Sequence, residues 1–304
     1  MAEAYVPRNA ARSEFVRLRG LRHHLNVWGD AAMAVPQRPV LLLLHGWMDV
    51  GASFQFTVDA LAQPRFVVAP DWRGFGLSDS THGDCYWFAD YLGDLDALLD
   101  QLSPSLPVDL AGHSMGGNIV MNYAGVRTQR VRRLVNLEGF SLPHTRAEQT
   151  PKRLCQWLDE LKQPQALRDY ASLDEVAARL MKTNPRLAAD KAAWLAAQWS
   201  RRGSDGRWHV LGDAAHKRVN PVLTRAEDII AMWSRIRAPL LWVEGDAREF
   251  ERAYGERYTR EQFEQRLAAV PSVQRLRLPA AGHMLHHDQP EALAQALERF
   301  LDSG

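Results

Sequence analysis

Short apolar runs alternate with helix-like segments along most of the chain. Residues 39–45, PVLLLLH, form a continuous apolar run, which is typical of a β-strand that helices cover on both faces. Four similar runs follow, at residues 66–69, 108–111, 131–137 and 240–243. Apolar residues spaced as in amphipathic helices lie between most of them, as at residues 88–102. This alternation predicts a mainly parallel sheet with crossover helices.

Both ends of the chain extend this pattern. Residues 14–19 and 21–28 are strand-like and meet at Gly20, whose conformational freedom suits a tight turn, so we predict an antiparallel hairpin at one edge of the sheet. At the other end the pattern predicts a helix, a strand and a final helix, at residues 259–269, 273–278 and 290–301. The two ends together complete one sheet.

One long segment breaks the alternation. Residues 141–235 contain no convincing buried strand, and Ala, Arg, Leu and Trp recur there at helical spacing, for example over residues 175–181 and 188–199. We therefore predict a core made of residues 1–140 and 236–304, with residues 141–235 as a helical cap. A cap above the sheet would cover a site there and supply most of the side chains that line it.

Composition excludes several classes of function. The 304 residues carry a formal charge of +1, so no overall field favours nucleic acid or an anionic membrane. The only cysteines, Cys85 and Cys155, give no disulfide framework, and neither a signal peptide nor an apolar run of about 18 residues is visible. We expect a cytoplasmic protein with no nucleic-acid or membrane partner, and the sequence leaves a homodimer open.

The motif that carries chemistry is GHSMG, residues 112–116, which follows a predicted strand and precedes a predicted helix. This context fits a nucleophile elbow, a strained turn that lifts the Ser114 hydroxyl above the sheet, and Gly112 and Gly116 supply the small neighbours that the turn needs. The N–H of Met115 would stand at the helix start, where it can stabilise an oxyanion. Trp47, in the loop after residues 39–45, is the candidate for the second oxyanion donor.

A serine nucleophile needs a base, and histidine is the usual one near neutral pH. Of eleven histidines, His283 lies between the last predicted strand and the last predicted helix, where a side chain can reach back over the sheet. His286 and His287 are interpreted as local structure. The candidates for binding substrate are His45, Trp47, His113 and Phe140, although the side chain of His113 is also expected to turn into the core.

Six motifs occur in the order shown by the α/β-hydrolase superfamily, and the chain resembles its branch of epoxide hydrolases, haloalkane dehalogenases and serine-hydrolase-like proteins. They are LHGWMD (44–49), SF (53–54), DWRGFGLS (71–78), GHSMG (112–116), NLEGF (136–140) and GH (282–283). The resemblance covers nearly the whole chain. It implies an eight-stranded, mostly parallel sheet flanked by helices, with the cap inserted after strand 6. Because Ser114 replaces the aspartate nucleophile of dehalogenases and epoxide hydrolases, both of those activities are disfavoured.

The acid of the triad has two candidates. The family often places an aspartate three residues after a glycine that follows the strand at 240–243, but in this chain Arg248 stands there, and Asp246 is only one residue past Gly245. Some relatives place the acid at the end of the preceding strand, where this chain has Glu138. We favour Glu138, whose side chain is long enough to reach the histidine, and keep Asp246 as the alternative.

These residues together predict a serine hydrolase. It would cleave an ester of a small to medium, largely apolar molecule through an acyl-enzyme, with no metal and no organic cofactor. Two alternatives remain: a carbon–carbon bond hydrolase or lyase on the same fold, and a non-catalytic protein that binds a small molecule. Fold alone does not choose among them, because one fold serves many reactions.

Overall fold

A computed structural model describes residues 4–246, 250–251 and 254–303. Its strands are β1 (Arg12–Leu18), β2 (Leu21–Trp28), β3 (Leu41–Leu44), β4 (Val67–Pro70), β5 (Val108–His113), β6 (Val131–Leu137), β7 (Asp169–Tyr170), β8 (Ser200–Arg202), β9 (Trp208–Val210), β10 (Leu240–Glu244) and β11 (Val273–Arg277). Eight of them form one sheet in the order β1-β2-β4-β3-β5-β6-β10-β11. All its neighbouring strands run parallel except β1 with β2 and β2 with β4, so the predicted fold is confirmed.

Helices pack on both faces of this sheet. Along the described residues the helices are α1 (Gln55–Asp59), α2 (Phe88–Leu102), α3 (Met115–Val126), α4 (Thr150–Leu161), α5 (Leu173–Thr183), α6 (Ala189–Trp199), α7 (Ala226–Trp233), α8 (Arg260–Leu267), α9 (Leu285–Asp288) and α10 (Pro290–Leu301). Of these, α4, α5 and α6 belong to the segment between β6 and β10. Among the described residues, no helix combines the length and the apolarity that a membrane span requires. The cytoplasmic location stays a prediction.

Strand β3 shows why a continuous apolar run belongs in the middle of the sheet. Its four leucines are buried, and because side chains alternate along a strand, Leu42 and Leu44 join the apolar cluster on one face while Leu41 and Leu43 join the cluster on the other. Burying a leucine fully contributes about 1.5–3 kcal/mol. The four leucines therefore pack against the apolar layers on both faces of the sheet.

The edge hairpin also forms as predicted. Strands β1 and β2 pair from Arg12 opposite Val27 to Leu18 opposite Leu21. Arg19 and Gly20 have positive φ angles of 49° and 88°, which is typical of a two-residue turn whose twist matches the strands that it joins.

The segment between β6 and β10 is not entirely helical, so that part of the prediction is wrong. Helices α4, α5 and α6 are accompanied by a three-stranded antiparallel sheet in the order β7-β9-β8. The strands have two or three residues each and are partly exposed, so they carry no apolar run that the sequence could reveal.

Helix α7 falls inside the predicted cap but packs on the core. Trp233 is fully buried in the core cluster and its Nε1 donates to Asn122 Oδ1 on α3 at 3.0 Å. Gly125 makes the close approach possible, because a Cβ there would lie 2.1 Å from the Met232 oxygen. The division at residues 141 and 235 stays a prediction, and α7 behaves as a crossover helix of the sheet.

Candidate active site

Ser114 lies in the tight turn between β5 and α3, as predicted. Its φ of 52° and ψ of −112° are angles that non-glycine residues rarely adopt, and such strain is held only where the surroundings enforce it. Its N–H donates to Leu137 O at 2.8 Å. A Cβ at Gly112 would lie 2.3 Å from the Gly116 oxygen, and one at Gly116 would lie 2.2 Å from the Leu44 oxygen, so both positions require glycine.

His283 faces Ser114. It stands in the loop between β11 and α9, and its Nε2 lies 3.0 Å from Ser114 Oγ, within the range of a hydrogen bond. The loop is held in place by Asp288, which accepts the Gly282 N–H at 2.7 Å. The His283 side chain is 42% exposed, so protein does not enclose the ring and a reacting group can approach it.

Glu138 faces the other side of the imidazole. It follows β6 with a φ of 57°, and its Oε2 lies 3.3 Å from His283 Nδ1 while Oε1 accepts the Gly245 N–H at 2.6 Å. Burial raises the pKa of the Glu138 carboxyl, because water no longer solvates the charge, and the bonds from His283 and Gly245 act against that rise. The carboxylate is thus fixed at the imidazole by a second, backbone donor.

The alternative acid lies nearby but is placed differently. The Asp246 N–H donates to Ala281 O at 2.8 Å, which joins the end of β10 to the histidine loop through the backbone. Arg248, at the more usual acid position of the family, lies outside the described residues. Among the described carboxylates, that of Glu138 is the one seen at hydrogen-bond distance from His283.

The predicted oxyanion donors border Ser114. Met115 is the first residue of α3, where N–H groups have no acceptor within the helix. The loop after β3 passes close by, because a Cβ at Gly46 would lie 3.2 Å from Ser114 Cβ. Trp47 follows in that loop, and its side chain is 53% exposed. Both predicted amides therefore lie at the end of the sheet that carries Ser114, and their role stays a prediction.

His45 does not have the predicted place in a substrate pocket. It is fully buried, its Nδ1 donates to Gly46 O at 2.7 Å, and its Nε2 accepts the Trp72 N–H at 3.0 Å. Burial lowers the pKa of this imidazole, which favours the neutral form that both bonds require. His45 shapes the Gly46–Trp47 loop from within.

Phe140 and His113 are also buried away from solvent, so their predicted contact with substrate is wrong. The Phe140 ring packs edge-on against Trp242, Phe250 and Phe263 at 4.9–5.2 Å between ring centroids. The His113 side chain is buried, in agreement with the expectation that it turns into the core. Trp47 keeps an accessible ring and stays the candidate for lining the pocket.

A buried cluster that the sequence did not reveal joins three parts of the site. Ser53 Oγ donates to Asp49 Oδ2 at 2.8 Å and lies 3.3 Å from His286 Nε2, and Trp199 Nε1 of α6 donates to Asp49 Oδ1 at 3.1 Å. The only sign of this cluster in the sequence was the position of Asp49 and Ser53 shortly after Trp47. The cluster fixes that loop to the helix after His283 and to α6.

Two residues of this cluster, Asp49 and His286, form with His287 a group that has the donor types of a metal site. Ligand atoms of Asp49, His286 and His287 lie within 4.8 Å of one another, and all three residues are buried. The Asp49 oxygens, however, already accept the Val50 N–H, the Ser53 hydroxyl and the Trp199 indole N–H. Hydrogen bonding accounts for the carboxylate without an ion.

Comparison with known proteins places the chain in one family. Residues 39–290 match the family model described as alpha/beta hydrolase fold. The AB hydrolase superfamily protein YfhM of Bacillus subtilis is 25% identical over 62% of this chain and 62% of its own length. A serine hydrolase-like protein of Danio rerio is 24% identical over 90% of this chain and 83% of its own length.

A solved structure covers nearly all of the chain. The thioesterase domain from the curacin biosynthetic pathway superposes with a TM-score of 0.80 at 26% identity, covering 96% of this chain and 100% of that domain. The likeness thus includes both the sheet and the segment between β6 and β10.

Proposed function

The chain belongs to the α/β-hydrolase fold family, and we propose that it is a serine hydrolase that cleaves an ester or related acyl bond through Ser114, His283 and Glu138. The observation that carries this proposal is the arrangement around His283. Its Nε2 lies 3.0 Å from the Ser114 hydroxyl, and its Nδ1 lies 3.3 Å from a buried carboxylate. A nucleophile, a base and an orienting acid in this order are the parts of an acyl-transfer site.

In the first half of the reaction, His283 Nε2 takes the hydroxyl proton as Ser114 Oγ attacks the substrate carbonyl carbon. The Glu138 carboxylate accepts the Nδ1 proton in a hydrogen bond, which holds the ring in the correct tautomer and stabilises the imidazolium. The Met115 and Trp47 amides stabilise the oxyanion. When the intermediate collapses, the alcohol leaves with the proton from Nε2, and Ser114 carries the acyl group.

In the second half, His283 accepts a proton from a water molecule that attacks the acyl-enzyme. The tetrahedral intermediate is stabilised by the same two amides, and its collapse releases the acid and returns the proton to Ser114 Oγ. All groups needed for both halves are supplied by the chain and by water, so the mechanism has no step that calls for a cofactor.

The accessible Trp47 ring and the segment between β6 and β10 favour a largely apolar acyl or alcohol group. The thioesterase domain that superposes on the chain makes thioesters a natural second class of substrate to examine. Thioesters and oxygen esters need the same nucleophile and the same oxyanion donors, so one site serves both.

Hydrolysis of p-nitrophenyl esters of graded chain length, together with acyl thioesters, tests the proposal. We expect turnover by the wild type and, for Ser114→Ala, a fall in kcat of about a thousandfold or more. Ser234→Ala is the matched control, because Ser234 is an exposed serine on the surface after α7, and it should stay within twofold. Turnover that survives Ser114→Ala would contradict the proposal.

A further inference from the structure

His113 ends β5 directly before the nucleophile, yet the reaction just described gives it no task. The residue is 2% exposed, so its side chain is buried. Its Nε2 lies 2.7 Å from the backbone oxygen of His283, a residue 170 positions further along the chain. The residue before the nucleophile is therefore hydrogen-bonded to the backbone of the residue that carries the base.

The chemistry of the partner fixes the proton on His113. A carbonyl oxygen accepts hydrogen bonds and never donates them, so Nε2 must carry the proton. Burial lowers the pKa of His113 well below its usual range, with His286 and His283 acting in the same direction and Asp49 against it, so the ring is neutral. Its Nδ1 is then an unprotonated nitrogen, and it is a buried atom without a hydrogen-bond partner in the described part of the chain.

Close packing keeps the ring in this orientation. A Cβ at Gly46 would lie 3.0 Å from His113 Nδ1, so the loop after β3 passes directly against that edge. The rings of His286 and His283 lie 4.6 and 4.8 Å from the His113 ring, centroid to centroid. Since the side chain has little room to rotate, the hydrogen bond acts as a fixed spacer between the nucleophile turn and the histidine loop.

We propose that His113 is a positioning residue that sets the distance between Ser114 Oγ and His283 Nε2 by donating a hydrogen bond to the His283 carbonyl oxygen. The catalytic part of this inference rests on the proposed serine-hydrolase function. Because the His283 backbone carries the imidazole that faces Ser114, the productive position of the ring depends on where that backbone is held. A displacement of about 1 Å in such a site costs on the order of a hundredfold in rate.

Two substitutions separate this role from simple packing. His113→Gln keeps a side-chain N–H that can reach the carbonyl oxygen, whereas His113→Leu has similar bulk and no donor. We expect His113→Leu to lower kcat tenfold to a hundredfold with KM within about threefold, and His113→Gln to recover to within about threefold of the wild type. A role in packing alone would not be rescued by the amide.

Hydrogen–deuterium exchange reads the same contact without any need for activity. We expect faster exchange in the peptide of residues 279–289 for His113→Leu and wild-type exchange for His113→Gln. If the wild type hydrolyses no ester or thioester, the proposed function fails while this measurement still tests the hydrogen bond.

A third measurement uses the unmodified chain, in case His113→Leu does not fold. The ¹⁵N spectrum of histidine-labelled protein distinguishes the two neutral tautomers, and the His113 signals are those lost in His113→Gln. We expect the proton on Nε2. Three results would each overturn the proposal. The first is a proton on Nδ1, and the second is equal kcat and equal exchange in the wild type and His113→Leu. The third is a His113→Gln variant that is as impaired as His113→Leu.

Discussion

Glu138 Oε2 lies 3.3 Å from His283 Nδ1, although the two residues follow different strands of the sheet, β6 and β11. Between these strands lies β10, and the Gly245 N–H at its end donates to the other oxygen of the same carboxylate. The Glu138 carboxylate thus reaches past β10 to His283, and the backbone N–H at the end of β10 holds it there. A glutamate fits this place because its side chain is one methylene longer than that of aspartate.

Substitution of the two candidate acids tests this arrangement. Glu138→Gln keeps the shape of the side chain but removes the charge that orients and stabilises the imidazolium, so we expect kcat to fall about a thousandfold. Asp246→Asn should stay within about tenfold, because Glu138 already faces Nδ1. Ester hydrolysis measured beside urea unfolding separates a loss of chemistry from a loss of folding. The account is wrong about the acid if only the change at Asp246 abolishes turnover.

The close approach at Gly116 predicts a stability effect. A Cβ there would lie 2.2 Å from the Leu44 oxygen and 2.7 Å from the His45 oxygen, and neither backbone atom can move without disturbing β3. We expect Gly116→Ala to lower the free energy of unfolding by about 2 kcal/mol or more. Gly83→Ala is the control, since its nearest neighbour is the Thr81 hydroxyl at 3.1 Å, and it should change stability by less than about 0.5 kcal/mol. Equal effects of the two changes would contradict the packing described here.

Buried neutral histidines predict a steep loss of stability in acid. Burial lowers the pKa of His45, His113 and His287 below the ordinary value of 6.5, and it lowers the pKa of His216 to about 4. Between about pH 6.5 and pH 5 the unfolded chain therefore binds protons at four histidines that the folded chain keeps neutral. The stabilisation is therefore complete above about pH 7 and is lost as the pH falls below 6.5. Each group contributes at most about 1.4 kcal/mol per pH unit, or about 4 to 5 kcal/mol for the four between pH 6 and pH 5.

Urea unfolding at pH 7.5, 6 and 5 measures this slope. His287→Gln should make it shallower by about 1.4 kcal/mol per pH unit, since one fewer group takes up a proton on unfolding. Ser234→Ala, which changes an exposed serine after α7 and removes no titratable group, should leave the slope unchanged. A free energy of unfolding that varies by less than about 1 kcal/mol between pH 6 and pH 5 would show that these rings are not kept neutral.

The sequence predicted those features that a local pattern determines. The five apolar runs located the five central strands of the main sheet, β4, β3, β5, β6 and β10, and the strand-like segments at the two ends of the chain located β1, β2 and β11. Helix α2 begins and ends at the predicted residues, Phe88 and Leu102. Ser114 and His283 were found because each chemistry-bearing residue stands at a junction of strand and helix, where a side chain can rise above the sheet. Their contact at 3.0 Å is consistent with that reasoning.

The remaining features depend on contacts between distant parts of the chain. The direction of the His45 side chain follows from partners such as the Trp72 N–H, which no motif encodes. The short strands near Trp208 pair with each other and lack an apolar period. The support for Glu138 from the Gly245 N–H arises only in the folded sheet, and the choice between Glu138 and Asp246 stays a prediction.

Labelling by a fluorophosphonate tests the central claim most directly, because the reagent reacts only with a serine that a base has activated. We predict one label per chain, mapped by mass spectrometry to Ser114. His283→Gln should slow labelling at least a hundredfold, while His209→Gln leaves the rate unchanged. Labelling at another residue, no labelling of folded wild-type protein, or an undiminished rate in His283→Gln would contradict the account.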